Sequence, residues 1–372
     1  MSARESPSQF AATREDAEER RRHEIETRPH AEPPPDESAV PPTTVREYLH
    51  GEAPAAMRGD ESTRSADSYY GYPAVKRPHW KPYIPAYFFV GGLAAGAQLV
   101  GSVAELAGSG RDRDVARIAR YVAAPLVGIG QLLLIGDLGR PERAIHMFRV
   151  AKTRSPMSLG AWVLLLFSAV SGLGMALQLA SDVVVRRPTA LVNAAFRGLS
   201  VAAVVPAVFV GSYTGTLLSA TSVPLWAKAR RLLAPMFLAS ALNTGSSLVA
   251  LVLAVTSRPA SSTTRALAAT TATAIASELV LEAAIEANAG RTGASLVRGR
   301  DAALGRAGQA ATLGALAFLA LPLMSGRASS ARWLSGAAGL ALLGGIAMRF
   351  SVVSAGKHSA DDPHAYWEVT RR

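Results

Sequence analysis

The sequence contains no cysteine. This absence excludes disulfide bonds, thiolate ligands for an iron–sulfur cluster and thioether-linked haem within the chain. Charged residues are also scarce, at 18% of the chain, against roughly 25% in an average soluble domain. The scarcity is uneven, because the first 82 residues are rich in charge and long apolar stretches fill the remainder.

Histidine is missing from those apolar stretches. A haem b held between membrane helices normally needs histidine as its axial ligand. The seven histidines lie instead outside the apolar runs, at positions 23, 30, 50, 79, 146, 358 and 364. With cysteine also absent, we expect no haem, no iron–sulfur cluster and no metal site in this chain.

Residues 1–68 have the composition of a disordered polar tail. They contain proline clusters such as "AEPPPDE", and apolar residues are few. A solvated tail is the simpler interpretation, and a partner-binding arm is the alternative. Because the first apolar run begins only near residue 84, we expect no ordinary cleaved signal peptide.

Eight apolar runs follow the tail, and each is close to the roughly 20 residues that cross a bilayer. The linkers between them are short and polar, and the runs lack the regular polar stripe of a water-soluble helical bundle. We therefore predict an all-α integral membrane protein with eight transmembrane helices in residues 69–363 and a short C-terminal tail, 364–372. The runs are 84–106, 117–136, 157–180, 198–218, 232–255, 264–287, 308–325 and 333–353.

Small residues recur at three- and four-residue spacing inside the runs, as in "GGLAAGAQLVG" and "SGAAGLALLGG". This spacing predicts helices whose backbones approach closely. An even number of crossings also places both ends of the membrane domain on one side, here called side A. The opposite side is side B.

The segment "IGDLGRPERAIHMFR", residues 135–149, leaves the second run on side A. A carboxylate such as Asp137 is costly at the edge of hydrocarbon unless it is paired. We expect Arg140 and Arg143 to pair with it and to favour its ionised form. The alternative is an interfacial loop whose arginines reach the lipid phosphates.

Several motifs carry a family resemblance. "DLGRPERAIHM" followed by "SPMSLGAW" resembles the signature of the NrfD family, the membrane subunit of polysulfide-reductase-type complexes. "YFFVGGLAAGA", "YTGTLLSATSVPLWA", "LAPMFLASALNTGSS" and "MRFSVVSAGKHSADDP" agree with it in the same order. The resemblance covers residues 69–363.

The resemblance implies a quinone-interacting anchor of a respiratory oxidoreductase complex in the cell (inner) membrane. It implies electron transfer between the menaquinone or ubiquinone pool and an iron–sulfur, ferredoxin-like subunit. That partner would connect to a catalytic, possibly molybdopterin-containing, subunit. Membrane lipid would surround the chain, and we expect no nucleic acid partner.

A quinone site needs hydrogen-bond partners for two oxygens and a group that accepts a proton. Aligned on "VGGLAAG", Tyr87 stands where some family members have a histidine, so Asp137 or His146 would take the proton. Interfacial anchoring is the alternative role for the tyrosines. The candidate quinone-binding residues on side A are Tyr87, Asp137, Arg140, Tyr213 and His79, and the candidate catalytic residues are Asp137 and His146.

Ionisable and amide side chains inside the runs form a second candidate group. Residues at i and i+4 share a helix face, and charged groups at membrane depth are functional candidates. The candidate proton pathway consists of Glu278, Glu282, Gln98 and Asn243. Interhelical hydrogen bonds are the alternative for the two amides, and Glu105 is expected to pair with Arg111 or Arg113 on side B.

A transporter or proton channel without a redox role is the alternative function, since intramembrane glutamates suit both. The orientation is left open by the sequence. Lys and Arg are more numerous on side A, which by the positive-inside rule would place it in the cytoplasm. The family resemblance instead implies extrinsic subunits that face the outside.

Overall fold

The structure, a computed structural model, describes residues 75–185, 189–257, 260–297, 299–324 and 331–370. In this part of the chain every regular element is a helix, which confirms the predicted fold class. Residues 1–68, expected to be a disordered tail, lie outside the described residues.

Eight long helices, numbered α1 to α8, have the length and apolar composition needed to cross a membrane. They coincide with the eight predicted runs. Their bounds are Tyr83–Ala107 (α1), Arg113–Asp137 (α2), Pro156–Ala180 (α3), Ala190–Ser219 (α4), Arg230–Thr256 (α5), Ser261–Ala289 (α6), Gly299–Met324 (α7) and Ala331–Ala360 (α8).

Shorter helical segments fill the connections between the long helices. Three of them begin at a proline, which suits the first turn of a helix: Pro141–Phe148, Pro224–Lys228 and Pro363–Thr370. The others are Gly110–Asp112, Ser181–Val185, Gly290–Gly293 and Ala294–Val297.

Helix α1 occupies the centre of the bundle. In its most apolar stretch 78% of the residues are buried, whereas in α7 only 22% are. Tight backbone contact with α5 explains this central position: a Cβ at Gly96 would lie 1.8 Å from the Ala241 carbonyl oxygen, and one at Gly245 would lie 2.3 Å from the Ala97 nitrogen. The predicted role of small residues in close helix packing is thus confirmed for this pair.

The two ends of the membrane domain meet on one side. The Lys357 ammonium at the end of α8 donates to the Trp80 carbonyl oxygen, just before α1. Arg77 and Asp361 form an ion pair of 3.6 Å beside this bond. Both ends therefore lie on side A, as an even number of crossings requires.

Candidate functional site

An aromatic cluster organises side A. Trp80 stacks on Trp226 with ring centroids 5.3 Å apart, and it meets Phe88 edge-on at 6.1 Å. Trp226 is fully buried, and its indole N–H donates to the Val352 carbonyl oxygen at 3.1 Å. The segment before α1 is therefore fastened to α8 and to the short helix Pro224–Lys228 by aromatic packing.

Asp137 ends α2 next to this cluster. Its carboxylate is half-buried and accepts a hydrogen bond of 3.1 Å from the Lys81 backbone N–H. Lys357 also lies close enough to interact electrostatically with it. Within the described residues, no ion pair joins Asp137 to Arg140 or Arg143, so the expected pairing is wrong. The reason is local: the chain turns extended after Asp137 and carries both arginines into an exposed segment.

Tyr87 and Tyr213 form the second part of the side-A site. Tyr87 is only 4% exposed and packs against Gly130 of α2. Its hydroxyl makes no hydrogen bond to any residue that the structure describes. Tyr213 is half-buried, lies across Gly160 and donates to the Pro156 carbonyl oxygen at 2.7 Å. The two tyrosines lie close enough to interact electrostatically.

The remaining side-A candidates lie further out. His146 and Arg140 belong to the exposed stretch around Pro141–Phe148, where Ile145 is 72% exposed. No hydrogen bond joins His146 to Asp137 within the described part of the chain. His79 is exposed, and its ring nitrogen lies 3.4 Å from the Arg77 carbonyl oxygen. Of the predicted quinone residues, the structure therefore brings Tyr87, Tyr213 and Asp137 to adjoining helices.

A second polar group lies deeper, between α5, α6 and α8. Glu278 is 1% exposed and accepts a hydrogen bond of 2.7 Å from the Asn243 side-chain amide. Glu282, one turn nearer side A, is 9% exposed and interacts electrostatically with Glu278. The helix face predicted for the two glutamates thus points into the protein interior.

Arg349 is the functional candidate that sequence reasoning missed. It is fully buried in α8 and interacts electrostatically with both Glu278 and Glu282. Its guanidinium donates to the Phe88 carbonyl oxygen at 3.0 Å and to the Ser240 hydroxyl at 2.9 Å. The available signal was a lone arginine inside the eighth apolar run, where a charge is costly unless it is paired.

Four buried polar atoms of this cluster have no hydrogen-bond partner within the described residues. They are Asn243 Oδ1, Glu278 Oε1, Glu282 Oε2 and Arg349 Nη2. A buried polar atom left without a partner costs roughly 1–3 kcal/mol, and more when it is charged. Buried water commonly satisfies such atoms, so the cluster has the properties of a hydrated site.

A small cavity lies beside Glu282, in the half of the bundle nearer side A. It has a volume of about 50 Å³. Each water molecule needs about 10–15 Å³ measured in this way, and a typical small-molecule pocket measures roughly 300–1,000 Å³. The cavity therefore accommodates a few water molecules but no quinone ring. Its polar lining consists of Glu282, Glu286, Arg306, Gln309 and Ser351.

Gln98, the remaining proton-pathway candidate, lies in a different part of the bundle. Its amide donates to Ser102 at 3.3 Å, and its carbonyl oxygen accepts from Ser171 of α3 at 3.4 Å. The structure therefore places Gln98 in an interhelical hydrogen bond, and no described bond connects it with Asn243 or Glu278.

Side B carries its own charged network. Glu105 pairs with Arg120 at 2.5 Å, so its expected pairing with Arg111 or Arg113 is wrong. Arg120 lies two turns inside α2 and faces α1, whereas the other two arginines are exposed near its start. Arg120 also donates to Gln178 of α3 at 2.7 Å.

The same network continues along α3 to Asp182. Its carboxylate accepts hydrogen bonds from Arg117 at 2.9 Å and from the Tyr121 hydroxyl at 2.7 Å. A cavity of about 310 Å³ opens beside Arg117 and Tyr121. Because these charges are paired with one another, the network serves first to join α1, α2 and α3 on side B.

No cluster of three or more histidine, aspartate or glutamate residues suited to a metal ion occurs among the described residues. The buried glutamates are a poor cation site, because the Arg349 guanidinium already supplies positive charge there.

The fold and these sites define a multi-pass membrane protein with polar groups concentrated at one membrane face and in its interior. The family model described as Polysulphide reductase, NrfD, matches residues 74–359. The chain therefore belongs to the NrfD family, whose members are membrane subunits of oxidoreductase complexes. This confirms the resemblance seen in the motifs. No curated protein sequence matches the chain significantly.

Proposed function

We propose that the chain is the quinone-interacting anchor of a respiratory oxidoreductase complex in the cell membrane. It exchanges electrons between a membrane quinone and an iron–sulfur partner subunit that docks on side A. The observation that supports this most directly is the placement of Asp137 and two tyrosines at the side-A ends of α1, α2 and α4, in a chain of this family.

The proposed quinone position lies between Tyr87 and Asp137. Tyr87 packs beside Gly130, which precedes Asp137 by two helical turns, or about 10 Å along α2. This separation is comparable to the span of a quinone ring that makes one hydrogen bond at each oxygen. Tyr87 itself is almost fully covered, whereas Tyr213 and Asp137 are half-buried.

The chemistry of quinol oxidation assigns a role to each group. Two electrons leave for the iron–sulfur partner, and two protons leave for water on side A. Asp137 accepts a quinol proton, because its carboxylate has only one described hydrogen-bond donor and retains acceptor capacity. Tyr87 and Tyr213 orient the ring, while Arg140, His79 and His146 lie near the surface, where they would contact the released protons or the partner.

The exposed stretch after α2 supports docking of the partner on the same side. Ile145 and Val150 are 72% and 60% exposed there, interspersed with Arg143, His146 and Arg149. Apolar side chains among arginines are typical of the central part of a protein–protein interface. A partner seated on this stretch would bring its cluster close to the proposed quinone position.

The replacement Asp137→Asn tests the proposal in the assembled complex. It preserves the size of the side chain and removes the charge, and loss of a general base typically costs 10²–10⁴ in rate. We expect quinol-dependent turnover to fall about 100-fold, while turnover with a soluble electron carrier that bypasses the membrane subunit stays near wild type. Asp182→Asn on side B is the matched control, and it should preserve both activities.

Two results would contradict the assignment. Quinol turnover within about twofold of wild type would reduce Asp137 to a structural hydrogen-bond acceptor for Lys81. Loss of both activities, with the partner absent from the purified complex, would make this region a docking surface alone. A quinone-independent proton flux through the purified chain would favour the alternative function, a proton channel.

A further inference from the structure

The buried cluster of Glu278, Glu282 and Arg349 carries an uneven charge count. Two carboxyl groups face one guanidinium, and all three residues are at most 9% exposed. No ion pair joins Arg349 to either glutamate among the described residues, but its charge interacts with both of them and offsets that of one ionised carboxylate. A second ionised carboxylate would leave an uncompensated negative charge inside the membrane domain, which is strongly unfavourable. The balanced state therefore has one carboxylate and one protonated carboxyl group.

The cluster has a path for protons on one side. Glu282 lines the cavity of about 50 Å³, together with Glu286 and Arg306, which are exposed and belong to the side-A halves of α6 and α7. The Gln309 side chain lies beside both carboxyl groups, because its amide donates to Glu286 at 2.6 Å and it lines the same cavity as Glu282. Water in this cavity would connect the buried carboxyl groups with the side-A solution.

No polar path leads from the cluster to side B within the described residues. From Asn243 towards side B, the next polar groups are the hydrogen bond of 2.8 Å between Thr271 and Ser246 and the buried Ser247 hydroxyl. Beyond them, buried apolar side chains of α5 and α6, including Leu253 and Leu267, pack into a continuous core. Within the described residues, this packing interrupts the polar path before side B.

We propose that Glu278, Glu282 and Arg349 form a site that holds one exchangeable proton and communicates with side A but not with side B. The step is a proton transfer alone: water in the cavity protonates or deprotonates a carboxyl group, and no electron moves. The inference deepens the proposed function. It rests on that function only for the source of the proton, which is the quinol oxidised beside Tyr87.

Arg349 also connects this site to the proposed quinone position. Its Nε donates to the Phe88 carbonyl oxygen, the residue after Tyr87, and its Nη2 faces Gly92 one turn further along α1. A change in the charge that Arg349 neutralises therefore acts directly on the second and third turns of α1.

Infrared spectroscopy of the full chain in lipid nanodiscs tests the proton count, because a protonated carboxyl group has its own carbonyl band. Glu278→Gln and Glu282→Gln should each remove one such band, since Arg349 then balances the remaining carboxylate. Arg349→Gln should add one band, because neither carboxylate retains a counter-ion. Asp114→Asn, which removes an exposed carboxylate near the start of α2, is the control and should leave the band unchanged.

The absence of native cysteine allows a test of sidedness. In sealed vesicles, silver ions added on side A should react with the thiol of the Ser351→Cys variant, which lies at the cavity. The thiol of the Ser247→Cys variant lies beyond Asn243 and should stay unreactive from both sides. Arg154→Cys and Gly110→Cys mark the two sides, since both positions are exposed.

Two outcomes would overturn the inference, and neither measurement requires quinone turnover. A carboxyl band that persists in both glutamine variants would show that the proton lies elsewhere. Reaction of Ser247→Cys from side B would show a continuous channel instead of a site open on one side. Failure of the quinone assignment at Asp137 would leave both results unchanged.

Discussion

The contact between Gly356 and Trp226 gives the sharpest test of how side A is built. The Trp226 ring lies so close to α8 that a Cβ at Gly356 would be 2.0 Å from Trp226 Cε2 and 2.2 Å from its Nε1. No carbon tolerates such a distance, so Gly356→Ala must displace the indole. The indole is fully buried and stacks on Trp80, which leaves it little room to move.

The expected cost follows from these contacts. Overpacking of a buried site typically costs about 1–3 kcal/mol, and a lost aromatic pair adds about 0.5–1.5 kcal/mol. Gly339→Ala in the same helix is the matched control, because a Cβ there meets nothing within 4 Å. The gain in helix propensity is common to both variants. The difference between them should therefore be about 2–4 kcal/mol, with Gly356→Ala the less stable.

Thermal unfolding in detergent, followed by tryptophan fluorescence, measures this difference. We expect a melting temperature for Gly356→Ala several degrees below that of Gly339→Ala, and an altered emission maximum from the displaced indole. Quinol turnover should fall as well, since Trp80 precedes Lys81, whose N–H holds Asp137. Equal stability of the two variants would refute the close contact and the assembly of side A derived from it.

Two further predictions concern the charged network on side B and the absence of a redox cofactor in the chain. Glu105→Gln should destabilise the chain by about 3–5 kcal/mol, because it leaves the buried Arg120 charge without its partner; an effect below about 1 kcal/mol in denaturant titration would show that Gln178 alone holds the arginine. The purified chain should show no haem Soret absorption and no bound iron. Stoichiometric haem in a clean preparation would refute the argument from the absence of cysteine and from the position of the histidines outside the apolar runs.

The helices were predictable because each depends on a property that is local in sequence. A run of about 20 apolar residues has few alternatives to a membrane helix, since backbone groups in lipid must bond internally. Close packing at Gly96 and Gly344 was also predictable, because the small-residue spacing repeats along each run. A Cβ at Gly344 would lie 2.1 Å from Thr312 Oγ1 of α7, as close as the sequence pattern implied.

The partners of charged residues were not predictable in the same way. Sequence proximity suggested Arg140 and Arg143 for Asp137 and Arg111 or Arg113 for Glu105, and both pairings are wrong. Partners across helices depend on rotation about each helix axis, which apolar runs with little amphipathicity leave undetermined. Arg349 was overlooked for the same reason, since only the tertiary fold shows that it faces two glutamates of α6.

The polar site on side A and the buried cluster of Glu278, Glu282 and Arg349 lie mostly on different helices. Helix α1 is the element that contributes to both. Asp137 and Tyr213 belong to α2 and α4, while the glutamates and Arg349 belong to α6 and α8. Helix α1 carries Tyr87, which faces the first region, and the Phe88 carbonyl oxygen, which binds Arg349 of the second. These successive residues lie in the most deeply buried of the eight spans. A shift of α1 would therefore move Tyr87 together with the carbonyl oxygen that binds Arg349. Coupling between the proposed quinone position and the proposed proton site would therefore require no long conformational pathway.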